Sequence, residues 1–283
     1  MESFAEITAG FDTIKKLYDH GVNPLDAIRD VGQMALSLII KHPRRGLDKE
    51  YIVFGSPDSP EGVTRPIRSD LFIPDASEYA SAWNAMVSTM GTEDLNVASA
   101  NAALYTCIQS FAGVYDLYKR GARKTPGTFF EIMVGSLLSE ITGSSRGKQV
   151  TLNVGGESVT IPTDIYFEDY NLVVATKTSS RDRIIQPWSH QLLLDRITER
   201  IGYPPFTSIL CLVGEVQLGK TEEKPCYQVC VPNQVKLYQE HVAKLAGLYY
   251  LDPPAAYLAL HDAGIITVAT IGTLLTGDLL KTI

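Results

Sequence analysis

Residues 162–177 read PTDIYFEDYNLVVATK, and the reading of this stretch decides the fold. Asp164 opens an alternating segment with Tyr166 and Glu168 on its own face, and Val173-Val174-Ala175-Thr176-Lys177 is a second β-type run. Side chains repeat every two residues along a strand, so Ala175 and Lys177 share a face. Two such strands, laid side by side, bring an aspartate next to a lysine at one end of a sheet.

Working outward, β-type segments are expected at 148–154, 157–162, 164–168 and 171–178, with Gly155-Gly156 as a hairpin turn between the first two. A helix is expected to begin at Thr125-Pro126, where threonine caps and proline fits the first turn, and to end at Gly143. Beyond Lys177 the pattern predicts a helix over 185–201, strands at 207–217 and 226–231, a helix over 233–246, and a mixed tail. Residues 121–283 therefore read as an α/β core, a mixed sheet flanked by helices. Residues 1–120 read as a mainly helical N-terminal region suited to dimerisation and substrate contacts. Phe4, Ile7, Phe11, Ile14 and Leu17 recur at helical spacing, a second helix runs from Pro24 to Ile40, and two more cover 77–90 and 94–121. Residues 55–76, with Pro60, Pro66 and Pro74, read as a long loop or arm.

The chain has 283 residues, 45% hydrophobic and 20% charged, which is the balance of an ordinary globular protein. The apolar run Met34–Ile40 is too short to cross a bilayer, and the opening Met1-Glu2-Ser3-Phe4-Ala5-Glu6 is acidic where a signal peptide is basic. No membrane association is expected, and the reading is of an intracellular protein. Cys107, Cys211, Cys226 and Cys230 form no zinc set and read as buried free thiols. A net charge of −7 argues against indiscriminate coating of nucleic acid. Local basic clusters still allow a specific binder: Arg44-Arg45, Lys119 to Lys124, Arg146 with Lys148, and Arg181 with Arg183. The first and third read as solvated surface groups.

Asp164 and Lys177 together suit phosphodiester hydrolysis. Carboxylate oxygens hold a hard divalent cation such as Mg2+, which stabilises the charge of a phosphorane-like transition state and lowers the pKa of bound water. An ammonium alongside orients the water and stabilises charge. Glu131 is a third candidate, because it lines up with Val134, Gly135 and Leu138 on an apolar helical stripe where a carboxylate is costly without a partner. Gly135, one turn on, predicts a close approach of that helix to the sheet. From spacing alone, an ordinary Asp164–Lys177 salt bridge is the commoner outcome.

Pro162-Thr163-Asp164 followed by Lys177 on a neighbouring strand resembles the PD-(D/E)XK nuclease superfamily. The continuation Lys177-Thr178-Ser179-Ser180-Arg181-Asp182-Arg183 resembles one branch of it, the type II restriction endonucleases that cut CCGG- or CCNGG-type sites. The resemblance covers about residues 125–200. It implies a nuclease core and Mg2+-dependent cutting of double-stranded DNA to 5′-phosphate ends, in restriction-modification in a bacterial or archaeal cytoplasm. It also implies Asp164 as the main metal ligand, Glu131 as a second acid and Lys177 as the water-orienting cation. Arg181, Asp182 and Arg183 are then base readers, since arginine donates to guanine O6 and N7 and aspartate accepts from cytosine N4. Two-fold palindromes match two-fold proteins, so a homodimer or higher homo-oligomer is expected on the duplex.

Position 175 departs from the superfamily pattern, carrying alanine where Asp or Glu is usual. Three accounts are open. An acid from the following helix substitutes, although Ser189, His190 and Gln191 stand at that distance and Asp195 and Glu199 lie further along. Alternatively, Glu131 completes the site with Asp164 and the Ala175 backbone carbonyl; this account is favoured. Thirdly, alanine replaces an acid so as to trap intact DNA. A DNA-binding protein with an inactive site is the corresponding alternative function. Residues 214–221, GEVQLGKT, match the P-loop pattern of an NTPase, but Glu222-Glu223-Lys224-Pro225 and a β-like run follow where a helix is required, so a hairpin is expected. Ser189-His190 lacks a nucleophile elbow. His190 reads as a polar helix residue beside a buried stripe of Trp188, Leu192, Leu193 and Ile197.

Overall fold

The computed structural model describes residues 3–55, 62–122, 124–180, 184–221 and 223–282. Its N-terminal part is a layer of helices. In α1 (Phe4–Asp19), Ile7, Phe11, Ile14 and Tyr18 form the buried stripe, and Ser3 with Glu6 makes a reciprocal capping box. α2 (Leu25–Ile39) and α3 (Ala76–Thr89, capped by Asp75) pack on α4 (Val97–Tyr118). α4 is buried nearly all round from Ala100 to Tyr115, which makes it the central rod of this layer. α5 (Lys124–Thr142) follows, and its Phe129 stacks on Phe111 of α4 with ring centroids 4.0 Å apart.

Three short strands lie between α2 and α3 and form an antiparallel sheet: β1 (Arg44–Gly46), β2 (Tyr51–Phe54) and β3 (Ile67–Arg68). None of the three was expected from the sequence. β2 is buried at all four residues and shows no alternation, and β3 sits inside the stretch read as a loop.

The main sheet has six strands: β4 (Gly147–Val154), β5 (Glu157–Phe167), β6 (Leu172–Lys177), β7 (Thr207–Leu212), β10 (Gly247–Tyr250) and β11 (Val268–Thr270). Their spatial order is β11-β10-β7-β6-β5-β4. β4, β5 and β6 run antiparallel, whereas β6, β7, β10 and β11 run parallel, so the sheet is mixed as expected. Gly155 and Gly156 turn the β4–β5 hairpin with φ of 64° and 91°, a conformation L side chains avoid. The segments expected at 157–162 and 164–168 are one continuous strand. A small hairpin of β8 (Val216–Leu218) and β9 (Cys226–Gln228) stands outside the sheet and contains the P-loop-like segment, so no helix begins at Lys220. α6 (Gln186–Ile201), α7 (Pro232–His241) and α8 (Ala255–Asp262) complete the second helical layer, and α9 (Ile271–Leu274) closes the chain.

Alternate sheet residues face the two helical layers. Ile165, Val174, Ile209 and Cys211 join the core of α1, α2, α4 and α5, so the hydrophobic core runs unbroken from the N-terminal helices into the sheet. Leu210, Leu212, Leu248 and Tyr250 face Trp188 and Tyr257, and Tyr166 and Val173 face Leu194 and Phe206. Leu192 and Leu193 are 36% and 46% exposed, contrary to their expected place in the buried stripe of α6; Leu194 occupies it instead. Cys107 and Cys211 are buried, but Cys226 and Cys230 are only half-buried, and Cys226 donates to Asp48 at 3.0 Å. Among the described residues, no helix is long and apolar enough to cross a membrane.

Candidate active site

Asp164 sits where β5 departs from regular pairing. Gly147 of β4 pairs with Tyr166 and Gln149 with Pro162, so the three residues Thr163, Asp164 and Ile165 oppose Lys148 alone. A bulge of this kind re-aims a side chain, and Pro162 at its edge has no N–H to donate. On the other side, Ile165 pairs with Val174 of β6, which brings Asp164 alongside the C-terminal half of that strand.

Asp164 Oδ2 accepts from the Thr176 backbone N–H at 2.8 Å and from Lys177 Nζ at 3.0 Å. Lys177 Nζ also donates to the Thr176 carbonyl at 3.0 Å. An ammonium has three protons, so one remains for a substrate or water. Asp164 Oδ1 has no partner among the described residues. Both side chains are about one-quarter to one-third exposed and line one cavity of about 160 Å³ with Ala175, Pro162, Pro187 and His190. The sequence reading required Asp164 and Lys177 on one face of adjacent strands, and they are there.

Glu131 lies on α5, which packs against β5 and β6. It is half-buried with no hydrogen bond among the described residues. Burial raises its pKa above the usual glutamate range and the nearby Asp164 charge adds to that, while Lys148 and Lys177 pull it down. Glu131 therefore belongs to the same electrostatic neighbourhood as Asp164 and Lys177. The close approach at Gly135 has a different partner from the one expected: it is the Tyr18 hydroxyl of α1, not the sheet, that a Cβ at 135 would overlap.

The two carboxylates are hard oxygen donors, and Mg2+ is commonly held by one or two carboxylates with water completing the shell. The Ala175 carbonyl, expected as a further donor, is turned toward β7 instead, because the Thr176 N–H of the same trans peptide points to Asp164. An unengaged Asp164 oxygen and a sheltered, unpartnered Glu131 fit such an ion. Among the described residues no group of three or more His, Cys, Asp or Glu is arranged to hold a metal, and Glu131 is not among the residues that line the Asp164 cavity.

Of the residues at the distance of a substitute acid, only His190 faces the cavity. Ser189 is exposed, and Gln191 turns inward to Asp195 Oδ1 at 2.6 Å and the Phe206 carbonyl at 2.9 Å. Asp195 is engaged there and does not line the cavity. Arg181, Asp182 and Arg183, the expected base readers, lie outside the described residues.

Glu215 went unrecognised in the sequence. It is 1% exposed, both its oxygens accept the Ser180 backbone N–H at 2.9 Å, and Tyr250 Oη donates to it at 2.9 Å. Burial lifts its pKa to about 7. It fixes the chain three residues beyond Lys177. Its position inside a P-loop-like string gave no sign of this.

No protein-family model and no curated protein matches the chain. Among solved structures, it is similar to the crystal structure of the Type IIP restriction endonuclease Kpn2I, with a TM-score of 0.77 and 26% identity over 98% of each chain. With its six-stranded mixed sheet, flanking helices and N-terminal helical layer, this chain has a restriction endonuclease fold.

Proposed function

We propose that the protein is a type II restriction endonuclease of the PD-(D/E)XK kind, which hydrolyses phosphodiester bonds of double-stranded DNA at a short CCGG-type sequence. The observation that carries this reading is the Asp164–Lys177 pair, 3.0 Å apart on neighbouring strands and open to one cavity. The likeness to a restriction endonuclease along nearly the whole chain supports it.

In this reading Asp164 and Glu131 would hold Mg2+, with water completing its shell. When bound, the ion supplies electrophilic stabilisation of the phosphorane-like transition state and acidifies water. Asp164 fixes the Lys177 ammonium, and the remaining Lys177 proton orients the attacking water or a phosphate oxygen. The product ends carry 5′-phosphates. Arg181 and Arg183 read guanines and Asp182 reads cytosine from the segment that follows Ser180. A homodimer places two such sites on a two-fold palindrome.

Lys177→Ala against Arg183→Ala tests the assignment. The lysine variant is expected to lose cleavage at least about a hundredfold while keeping specific binding. The arginine variant should lose roughly 1–3 kcal/mol of discrimination between cognate and substituted duplexes. Normal digestion by both would overturn it. Ala175 favours a second reading, a specific DNA binder with an inactive site, because the cavity lacks the carboxylate that position normally supplies.

A further inference from the structure

Arg146 is half-buried at the start of β4, yet no carboxylate pairs with it among the described residues. Its guanidinium lies 3.6 Å from the centre of the Tyr18 ring, donates to the Tyr18 carbonyl at 2.7 Å, and reaches Ser139 Oγ at 3.4 Å. These contacts orient the fork without neutralising it. Such a guanidinium is prepared for an anion, because its ordering has already occurred and its charge remains uncompensated. The sequence alone suggested a solvated surface group here; the packing on Tyr18 is what sets Arg146 apart.

Arg146 lines a cavity of about 320 Å³ with Lys148, Tyr18, Asp19, Gly21 and Ser145. Lys148 Nζ is 3.2 Å from Asp19 Oδ1, a pair in which both side chains are about 60% exposed. An exposed pair of this kind contributes little and exchanges readily with a stronger anion. Lys148 is also the β4 residue opposite the Asp164 bulge, and its charge reaches Glu131. Lys148 is thus the link between this cavity and the neighbourhood of Glu131 and Asp164, and the cavity holds two cations against one carboxylate.

We propose that Arg146 and Lys148 form a subsite for a DNA backbone phosphate flanking the scissile one. Arg146 supplies a fixed two-pronged donor and Lys148 leaves Asp19 for the same phosphate. Because the ligand is backbone, the subsite sets register and affinity and carries no sequence information. It rests on the nuclease reading.

The test is metal-free binding of a short labelled duplex with a central CCGG, and of the same duplex with that centre scrambled, across a salt titration. Lys148→Gln is the deciding variant, since its side chain is exposed and the fold does not depend on it. Arg146→Gln is the second, and its melting temperature is recorded because it loses packing on Tyr18. Each is expected to lower the slope of log affinity against log salt by about 1 and to weaken both duplexes by the same factor. Asp19→Asn should tighten both. Unchanged slopes in the two basic variants overturn the subsite and leave the nuclease reading standing. Weakening confined to the CCGG duplex also overturns it, because that result means base reading. A wild-type protein that binds neither duplex overturns the subsite and the nuclease reading together.

Discussion

Asp164 is held by the backbone it must serve. The Thr176 N–H and the Lys177 ammonium both donate to one of its oxygens, leaving the other for a ligand. Ala175 is the residue at which the account is most exposed, because it lines the cavity and brings no acid. If Glu131 completes the site, Ala175→Glu adds a charge to a sufficient set, and Mg2+-dependent cleavage should change by less than about tenfold. A gain of a hundredfold or more, in single-turnover digestion, would instead mean that an acid is missing. Asp164 and Lys177 were legible as an acid and an ammonium on neighbouring strands, but the bulge that aims Asp164 was not, because it depends on the register with β4. His190 was not, because a helical position reveals its neighbour in the cavity only after α6 has docked. Glu215 was hidden for a similar reason: its partners Ser180 and Tyr250 lie 35 residues away on either side.

At the scale of elements, α5 decides where Glu131 stands. Its docking relies on Gly135, over which the Tyr18 hydroxyl lies. Gly135→Ala should push α1 and α5 apart at a cost of about 1–3 kcal/mol. Its melting temperature should fall by a few degrees, and cleavage should fall while duplex affinity holds. An unchanged melting temperature would mean that the contact relaxes freely. Most elements were legible. The amphipathic stripe of α1, the extents of α2 and α5 and the Gly155-Gly156 turn all lie in local sequence, although Thr125, expected to cap α5, lies inside the helix, which begins at Lys124. Strands β2 and β10 were not, because strands buried on both faces show no alternation, and four residues are too few to tell such a strand from a helix turn. The segments expected at 157–162 and 164–168 are joined in β5 through the bulge that aims Asp164, with Pro162 at its edge.

At the scale of the whole molecule, burial of acids makes stability depend on pH. Glu215 titrates near 7 in the folded chain against an ordinary 4.5, and burial raises Glu131 and Asp252 in the same direction. The folded state thus binds more protons than the unfolded one between these limits, and stability is present below about pH 4.5 and lost as pH rises through 7. The Glu215 contribution is of order 1–3 kcal/mol. Melting temperature measured from pH 5 to pH 8 should fall in the wild type and fall less in Glu215→Gln. Equal slopes would contradict the assignment. In the proposed reading the sheet with its two helical layers holds one acid and one ammonium against a phosphate, and digestion tests that most directly. Double-stranded genomic DNA is incubated with Mg2+ and the wild-type protein or Asp164→Asn, and the fragment ends are sequenced. The wild type should yield discrete fragments whose 5′-phosphate ends share one short sequence, and Asp164→Asn should leave the DNA intact. Intact DNA with the wild type, or the same fragments from both proteins, would contradict the account.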